Sequence, residues 1–353
     1  MAAYGTGNQP AAMVPTAGVA GWGSWNLPNF VGELYKLSPL ETPLVSLLGG
    51  ANGGMIAEAI QFVWQDTLHR QPALSPTDRG RIEGDDAPFQ VQSRSERTNV
   101  CEIFQYGVEL SYSKQAATGL LGTSGTSPGT GAENILGVQP VQNEMAWQLQ
   151  IKLENAVLDM EISYLDGTLA YPNDGTARQT QGIRGAITTV TKDAQLAADW
   201  DAGTGAPLLG TELINETAQA MFDNGAPMRN CIIMVGGKEK RLISSDFQQG
   251  NGNIAPRSYN RFGVNITEIE TDFGLYPIVL NRHCTAEEVL YLELNVMETK
   301  HLPIPGKGFF FMEPLAKSGS YDRHQLYGEA GLEYGPEGWH AKVTNFDGVT
   351  NLA

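Results

Sequence analysis

VQNEMAWQLQIKLENAVLDMEISYLD, residues 141–166, decides how the rest of the chain is read. Val141, Met145, Leu149, Leu153, Ala156, Met160 and Tyr164 recur at helical spacing and form one apolar stripe. Trp147, Ile151, Leu158, Ile162 and Leu165 form a second stripe on nearly the opposite side. The pattern predicts a helix over 141–166 that is buried on two faces. At 1.5 Å per residue it is on the order of 39 Å long, enough to serve as a spine across a thin domain.

Upstream lies GLLGTSGTSPGTGAENILG (119–137), a low-complexity linker with no lysine placed to hold a phosphate. Before it, Val100, Phe104, Tyr106, Val108, Leu110 and Tyr112 alternate along 100–113, and Ile60, Phe62 and Trp64 share one face of 57–66. Both stretches read as strands. The tract between them, TLHRQPALSPTDRGRIEGDDAPFQ (67–90), is polar and carries both charge signs, and its outer parts can pair as a hairpin. A connection this long is functional or disordered in a compact domain. It reads either as a solvated loop or as a protruding tongue that lies on another subunit. In the second case Arg79 and Arg81, beside Glu83, Asp85 and Asp86, offer intersubunit ion pairs. LSPLETPLVSLLGG (37–50) reads as a short helix begun at Ser38 or Thr42 and ended by its glycines. Residues 1–31 form a flexible arm whose Trp22, Trp25 and Phe30 need burial, in the parent domain or in a neighbour.

Downstream, 167–210 is rich in loops and includes a strand-like run, GIRGAITTV, from Gly182. A helix over 212–224 is capped by Thr211 and stopped by Gly225. A strand at 231–235, a short helix at 238–247 and strands at 264–270, 278–280 and 289–294 complete an α/β or α+β region. Residues 325–334 and 339–346 read as a hairpin around Gly335-Pro336-Glu337-Gly338.

The formal charge of -16 over 353 residues argues against tight nucleic-acid binding, which draws its affinity from cations that displace counterions. Cys101, Cys231 and Cys284 lack the spacing of a disulfide framework or zinc site. Neither a secretory signal nor an apolar run of transmembrane length is expected. His283-Cys284 is the one Cys/His adjacency, and on an extended strand such neighbours face opposite ways. Gly236-Gly237-Lys238 and Gly306-Lys307-Gly308 do not complete a phosphate loop, because Ser or Thr does not follow the lysine. The chain is therefore read as a non-enzyme without metal or cofactor.

The ordered series of arm, SPLETPLVSLL, FVWQDTL, the EGDDAP tongue, NVCEIFQYGVELSYS and EMAWQLQIKLENAVLDM resembles tailed-phage major capsid proteins with the Hong Kong 97-type fold. The motifs cover roughly 30–190, and element order carries the remainder. The resemblance implies an α+β chain with an N-terminal arm (1–37), a connecting segment with a short helix (38–56) and an extended β-hairpin loop (57–113). A peripheral domain (114–210 and 296–353) would contain the spine helix, and 211–295 would form an axial domain meeting its copies in pentamers and hexamers.

The expected product is an icosahedral shell enclosing double-stranded DNA, assembled in the host bacterial cytoplasm, with the subunit located in the virion. Partners implied are copies of the chain, a portal protein, a separate scaffolding protein and a decoration protein, with DNA touched loosely and no membrane. Trp22, Trp25, Phe62 and Trp64 are the candidate apolar anchors between subunits. The relatives' basic residues in the first half of the spine helix are replaced here by Gln148, Gln150 and Lys152, and no covalent crosslink is expected. The competing readings are a carbohydrate-binding or carbohydrate-active module, and a different virion part.

Overall fold

The structure, a computed structural model, describes residues 40–51, 53–67, 82–84, 86, 91–117, 144–173, 175–194, 211–250, 267–317 and 319–345, with backbone alone at 116, 117, 211, 212 and 245–250. In chain order the first elements are helix α1 (Pro43–Leu47) and strands β1 (Met55–Ile56), β2 (Gln61–Asp66), β3 (Ser95–Val100) and β4 (Glu102–Ser111). Helices α2 (Tyr112–Ala117), α3 (Glu144–Asp166) and α4 (Ile183–Ala186) lead to strand β5 (Thr191–Asp193) and helix α5 (Thr211–Asp223). Strand β6 (Cys231–Val235) and helix α6 (Gly237–Gly250) precede β7 (Glu268–Thr271), β8 (Gly274–Leu280) and β9 (Val289–Glu293). Last come β10 (Glu298–His301), β11 (Phe310–Pro314), β12 (Tyr321–Glu333) and β13 (Ala341–Thr344).

A six-stranded mixed sheet has the order β5-β13-β9-β6-β8-β7. Its central strand, CIIMV, is buried along its whole length because successive residues enter different cores. Cys231, Ile233 and Val235 join one core with Leu213, Ala218 and Met221 of α5 and Ile243 of α6. Ile232 and Met234 join a second core with Leu44 and Val45 of α1, Met160 and Tyr164 of α3, and Ala330 and Leu332 of β12. A strand covered on both faces reads as an unbroken apolar run, as this one does. The second sheet runs β1-β10-β12-β11, with β4 also paired to β12. The six-stranded sheet draws β6 to β9 from the span expected to be axial, and β5 and β13 from the span expected to be peripheral.

The chain divides into two compact units. The smaller contains described residues from 109–148 and 317–322. Within it Lys114 bridges Glu144 at 2.7 Å, and Gln115 Nε2 donates to Asp322 Oδ2 at 3.1 Å. The cores and sheets just described, and the hairpin below, rest on residues of the larger unit, save the ends of β4, α3 and β12.

Helix α3 matches the expected helix. Ala156, Met160, Tyr164 and Leu165 are buried, whereas Leu153 of the first stripe and Ile162 of the second are 41% and 43% exposed. Among the described residues, the faces carrying Leu153 and Ile162 are thus left partly uncovered. The helix ends at a backbone crossing, where Gly182 N donates to Gly167 O at 2.9 Å. A Cβ at Gly167 would stand 2.3 Å from Thr180 O, and one at Gly182 2.6 Å from Gly167 N, so both positions need glycine.

Other readings need correction. GIRGAITTV opens as the helical turn α4, because Ile183, Ala186 and Ile187 recur at helical spacing and all enter the second core. The alternation over 100–113 is not one strand: it breaks at Cys101, and Tyr112 starts α2. The expected hairpin over 325–346 does not form. Strand β12 belongs to the five-stranded sheet, while β13 fills a slot between β5 and β9 in the other. Gly335, at φ 63°, turns the corner between them. The short helix at 37–50 is α1, closed by Gly49 and Gly50 at φ 102° and 78°.

Candidate assembly site: the hairpin and its seat

Strands β2 and β3 pair antiparallel, from Gln61↔Val100 to Asp66↔Ser95. Residues 67–94 thus connect two paired strands. Alternation puts Phe62, Trp64 and Asp66 on one face of β2, with Asn99, Arg97 and Ser95 opposite them on β3. Two successive rungs on that face, Phe62 with Asn99 and Trp64 with Arg97, pack on residues 331–337 of the same chain.

The lower rung is closed at Asn99, whose side chain is fully buried. Its Nδ2 donates to Leu332 O at 2.7 Å and Gln181 O at 3.1 Å. Its Oδ1 accepts from Val100 N and Gln181 N, both at 2.8 Å. Every polar valence of the amide is used, as a buried amide requires. Phe62 lies against Gly331, where a Cβ would stand 2.8 Å from the Phe62 ring.

In the upper rung Trp64 Nε1 donates to Gly335 O at 3.0 Å, and its ring meets Tyr334 edge-on at 4.9 Å. Arg97 donates from Nε to Asp66 at 3.2 Å and reaches Glu337 with Nη2 at 3.5 Å. Glu337 also accepts from the backbone and hydroxyl groups of Thr188 and Thr189, at 2.7 to 3.1 Å. Burial works against its ionisation, yet these four hydrogen bonds outweigh it and hold the carboxyl below the usual carboxylate range.

Of the residues singled out in the sequence, Phe62 and Trp64 thus sit at the hairpin base, half-buried against their own chain. Glu83 and Asp86 are exposed. Trp22, Trp25, Arg79, Arg81 and Asp85 lie outside the described residues. The structure brings Phe62 and Trp64 together, and joins them to partners that sequence reasoning missed. Alternation placed Asn99 and Arg97 within reach of a reading as face-sharing partners, but nothing in the sequence paired them with Gln181 or Glu337.

A second buried polar centre lies at α1, and no sequence motif marks it. Glu161 of α3 is fully buried and accepts from Leu44 N at 3.0 Å, Val45 N at 2.8 Å and Asn281 Nδ2 at 2.6 Å. Burial pushes its carboxyl above the ordinary range, against the pull of the two α1 amides. Its carboxylate supplies the cap that α1 lacks, because Thr42 makes no side-chain cap bond.

Among the described residues, no group of three or more His, Cys, Asp or Glu is placed to hold a metal ion. No described helix is long and apolar enough to cross a membrane. A cleft of about 330 Å³ between β4 and α3 is lined by Glu102, Phe104, Tyr106, Asp159, Ile162 and Ser163. Within it the Tyr106 hydroxyl donates to Asp159, and burial raises both Tyr106 and Glu102 above their usual ranges.

Comparison with solved structures places the fold. A cyanophage A-1(L) capsid chain superposes with a TM-score of 0.61 at 10% identity, over 90% of this chain and 97% of that one. A native GTA particle capsid gives 0.57 at 9% identity, over 94% and 99%. The SrpI encapsulin of Synechococcus elongatus gives 0.56 at 12%, over 93% and 95%. Among curated proteins no sequence matches. The α+β arrangement is the Hong Kong 97-type capsid fold. Residues 14–347 match the family model of the SU10 major capsid protein, so this chain belongs to that family and its function is to form a capsid shell.

Proposed function

We propose that subunits of this shell meet through the β2–β3 hairpin and the tract it carries, laid on a neighbouring copy. The observation that supports this is the hairpin's asymmetry. One face is seated on 331–337, while Gln61, Val63 and Gln65 on the other face are exposed. Glu83 and Asp86 are exposed too, and ion pairs from them and from Asp85, Arg79 and Arg81 add small increments that repeat in every copy. Trp22 and Trp25 of the arm serve as apolar anchors. Phe62 and Trp64 contribute the ring edges that their own chain leaves open.

In this reading 1–37 is an arm, 57–113 the extended loop, and 114–210 with 296–353 the peripheral domain around α3. Residues 211–295 are axial and join copies into pentamers and hexamers. The shell forms in the host bacterial cytoplasm, on a separate scaffolding protein, with a portal at one vertex, and encloses DNA that it touches loosely. A decoration protein is a further partner. No step of this calls for catalysis.

The test is electron microscopy of particles from the wild-type chain and from Arg79→Glu/Arg81→Glu. The double reversal should lower particle yield, and more so at low salt, while leaving the unassembled subunit folded. Equal yields at all salt concentrations would remove the ionic role of the tract.

A further inference from the structure

We propose that the open edge of β1 is covered in the shell by an extended segment of a second copy of this chain, added to the five-stranded sheet as a further strand. This contact is separate from the β2–β3 hairpin and does not depend on it.

Among the described strands of the two larger sheets, β1, β4 and β11 present an open edge in one, and β5 and β7 in the other. Unpaired edges invite association, and proteins protect them with charged residues or proline. β4 carries Glu102 and Glu109, β5 carries Lys192 and Asp193, β7 carries Glu268 and Glu270, and β11 carries Glu313 and Pro314. β1 has only methionine and isoleucine, and the first charge after it, Glu58, lies beyond the pairing. Met55 is 56% exposed and Ile56 60% exposed. Neighbours on a strand face opposite ways, so both faces of β1 are bare among the described residues.

The edge is also held in place. His301 of β10, fully buried, meets Gly53 O through Nε2 at 2.7 Å, and its carbonyl accepts from Ala57 N at 2.7 Å. Gly54, at φ 101°, permits the close approach, since a Cβ there would stand 2.1 Å from Thr299 O. β1 is thus clamped before and after its two residues. Alternate residues bond across a parallel ladder, so the Ala57–His301 bond leaves Ile56 with its N–H and C=O turned to the open side. An incoming strand meets a donor, an acceptor and apolar side chains already ordered.

Charge favours a second copy as the occupant. Each chain carries a formal charge of -16, and like charges opposed across a contact are costly. An uncharged strand edge is a place where such chains can approach, and a shell brings many of them together. Two residues make a small contact, which repetition in every copy multiplies.

The test compares amide exchange over 53–60, read by mass spectrometry, in the unassembled full-length subunit and in particles. Exchange should slow by about tenfold or more on assembly. Equal protection in the two states overturns the proposal: slow in both means that the subunit covers its own edge, and fast in both that the edge stays open. A photoreactive side chain at position 55, in particles mixed from light and heavy isotope-labelled subunits, should join one light copy to one heavy copy. Crosslinks confined to one copy, or made to another protein, would exclude a second copy as the occupant. Full-length Ile56→Lys puts a charge on the edge at a side chain already in water, so melting temperature should stay near wild type while most particles are lost. Ile56→Val, which keeps an apolar strand former, should assemble as wild type does. Wild-type particle yield from Ile56→Lys would overturn the proposal as well.

Discussion

Asn99 and Gln181 exchange two hydrogen bonds, Nδ2 to Gln181 O at 3.1 Å and Gln181 N to Oδ1 at 2.8 Å, so that a side-chain amide pairs with a backbone as a neighbouring strand would. Replacing it by leucine keeps the bulk and leaves Gln181 and Leu332 with buried unpaired groups. Asn99→Leu should cost about 3 kcal/mol, read as a lower urea midpoint of the unassembled subunit. A midpoint equal to wild type would show that water replaces the amide.

Glu161→Gln presents an NH2 group where α1 needs an acceptor. The amides of Leu44 and Val45 should then exchange faster with solvent, by a factor of ten or more if about 1.5 kcal/mol is lost locally. Exchange within β6 should stay slow. Mass-resolved exchange over 42–48 checks this, and unchanged protection would mean that packing of Leu44 and Val45 holds α1 without the carboxylate.

Acid stability should depend on His340. Its Nδ1 accepts from Glu293 N at 3.2 Å, so Nε2 carries the proton that it donates to Tyr334 O at 2.7 Å. Burial lowers its pKa from 6.5 to about 4, so the unfolded chain binds the proton more readily. Stability from His340 is present above pH 6.5 and is lost as pH falls towards 4, about 3 kcal/mol in all. Glu161 has the opposite sign: its raised value means that its contribution is present below the unfolded value of 4.5 and is lost as pH rises through the folded one. Urea unfolding at pH 7 and pH 4.5 should show His340→Gln losing less between the two than the wild type does. An identical loss would assign the acid limb to other groups.

Thiol chemistry offers an independent check of the cores. Burial raises Cys101 and Cys284 to about 12, and raises Cys231 further beside Glu293. Because the thiolate is the reactive form, the folded subunit should resist iodoacetamide at pH 8, and in denaturant all three cysteines should alkylate. Rapid alkylation of Cys101 in the folded protein would contradict its burial.

The sequence made local features legible. α3, α5 and β6 have periodicities that their own packing imposes, and α1 and α5 announce their ends with glycine; at α5, Gly225 N bonds to Phe222 O and Ala226 N to Met221 O. Contacts between distant segments were not legible. Trp64, a candidate anchor for a neighbour by its place on β2, has its indole held by residue 335 of its own chain, 271 positions away. β12 and β13 looked like a hairpin because two strands flanked a Gly-Pro turn; the slot that β13 fills is defined by β5 and β9, about 150 and 50 residues upstream. Buried Glu161 and Asn99 were hidden for the same reason, since their partners lie 82 to 233 residues away.

The slot filled by β13 also orders events in time. That strand is synthesised after every other strand described, yet it sits second in the six-stranded sheet. On the ribosome, the sheet and the corner at 334–337 cannot close until nearly the whole described chain has emerged, a topology that folds slowly and late. A nascent or truncated subunit therefore lacks the seat for its hairpin. A half-made chain therefore lacks residues 331–337, the surface on which Phe62, Trp64, Arg97 and Asn99 pack in the finished subunit.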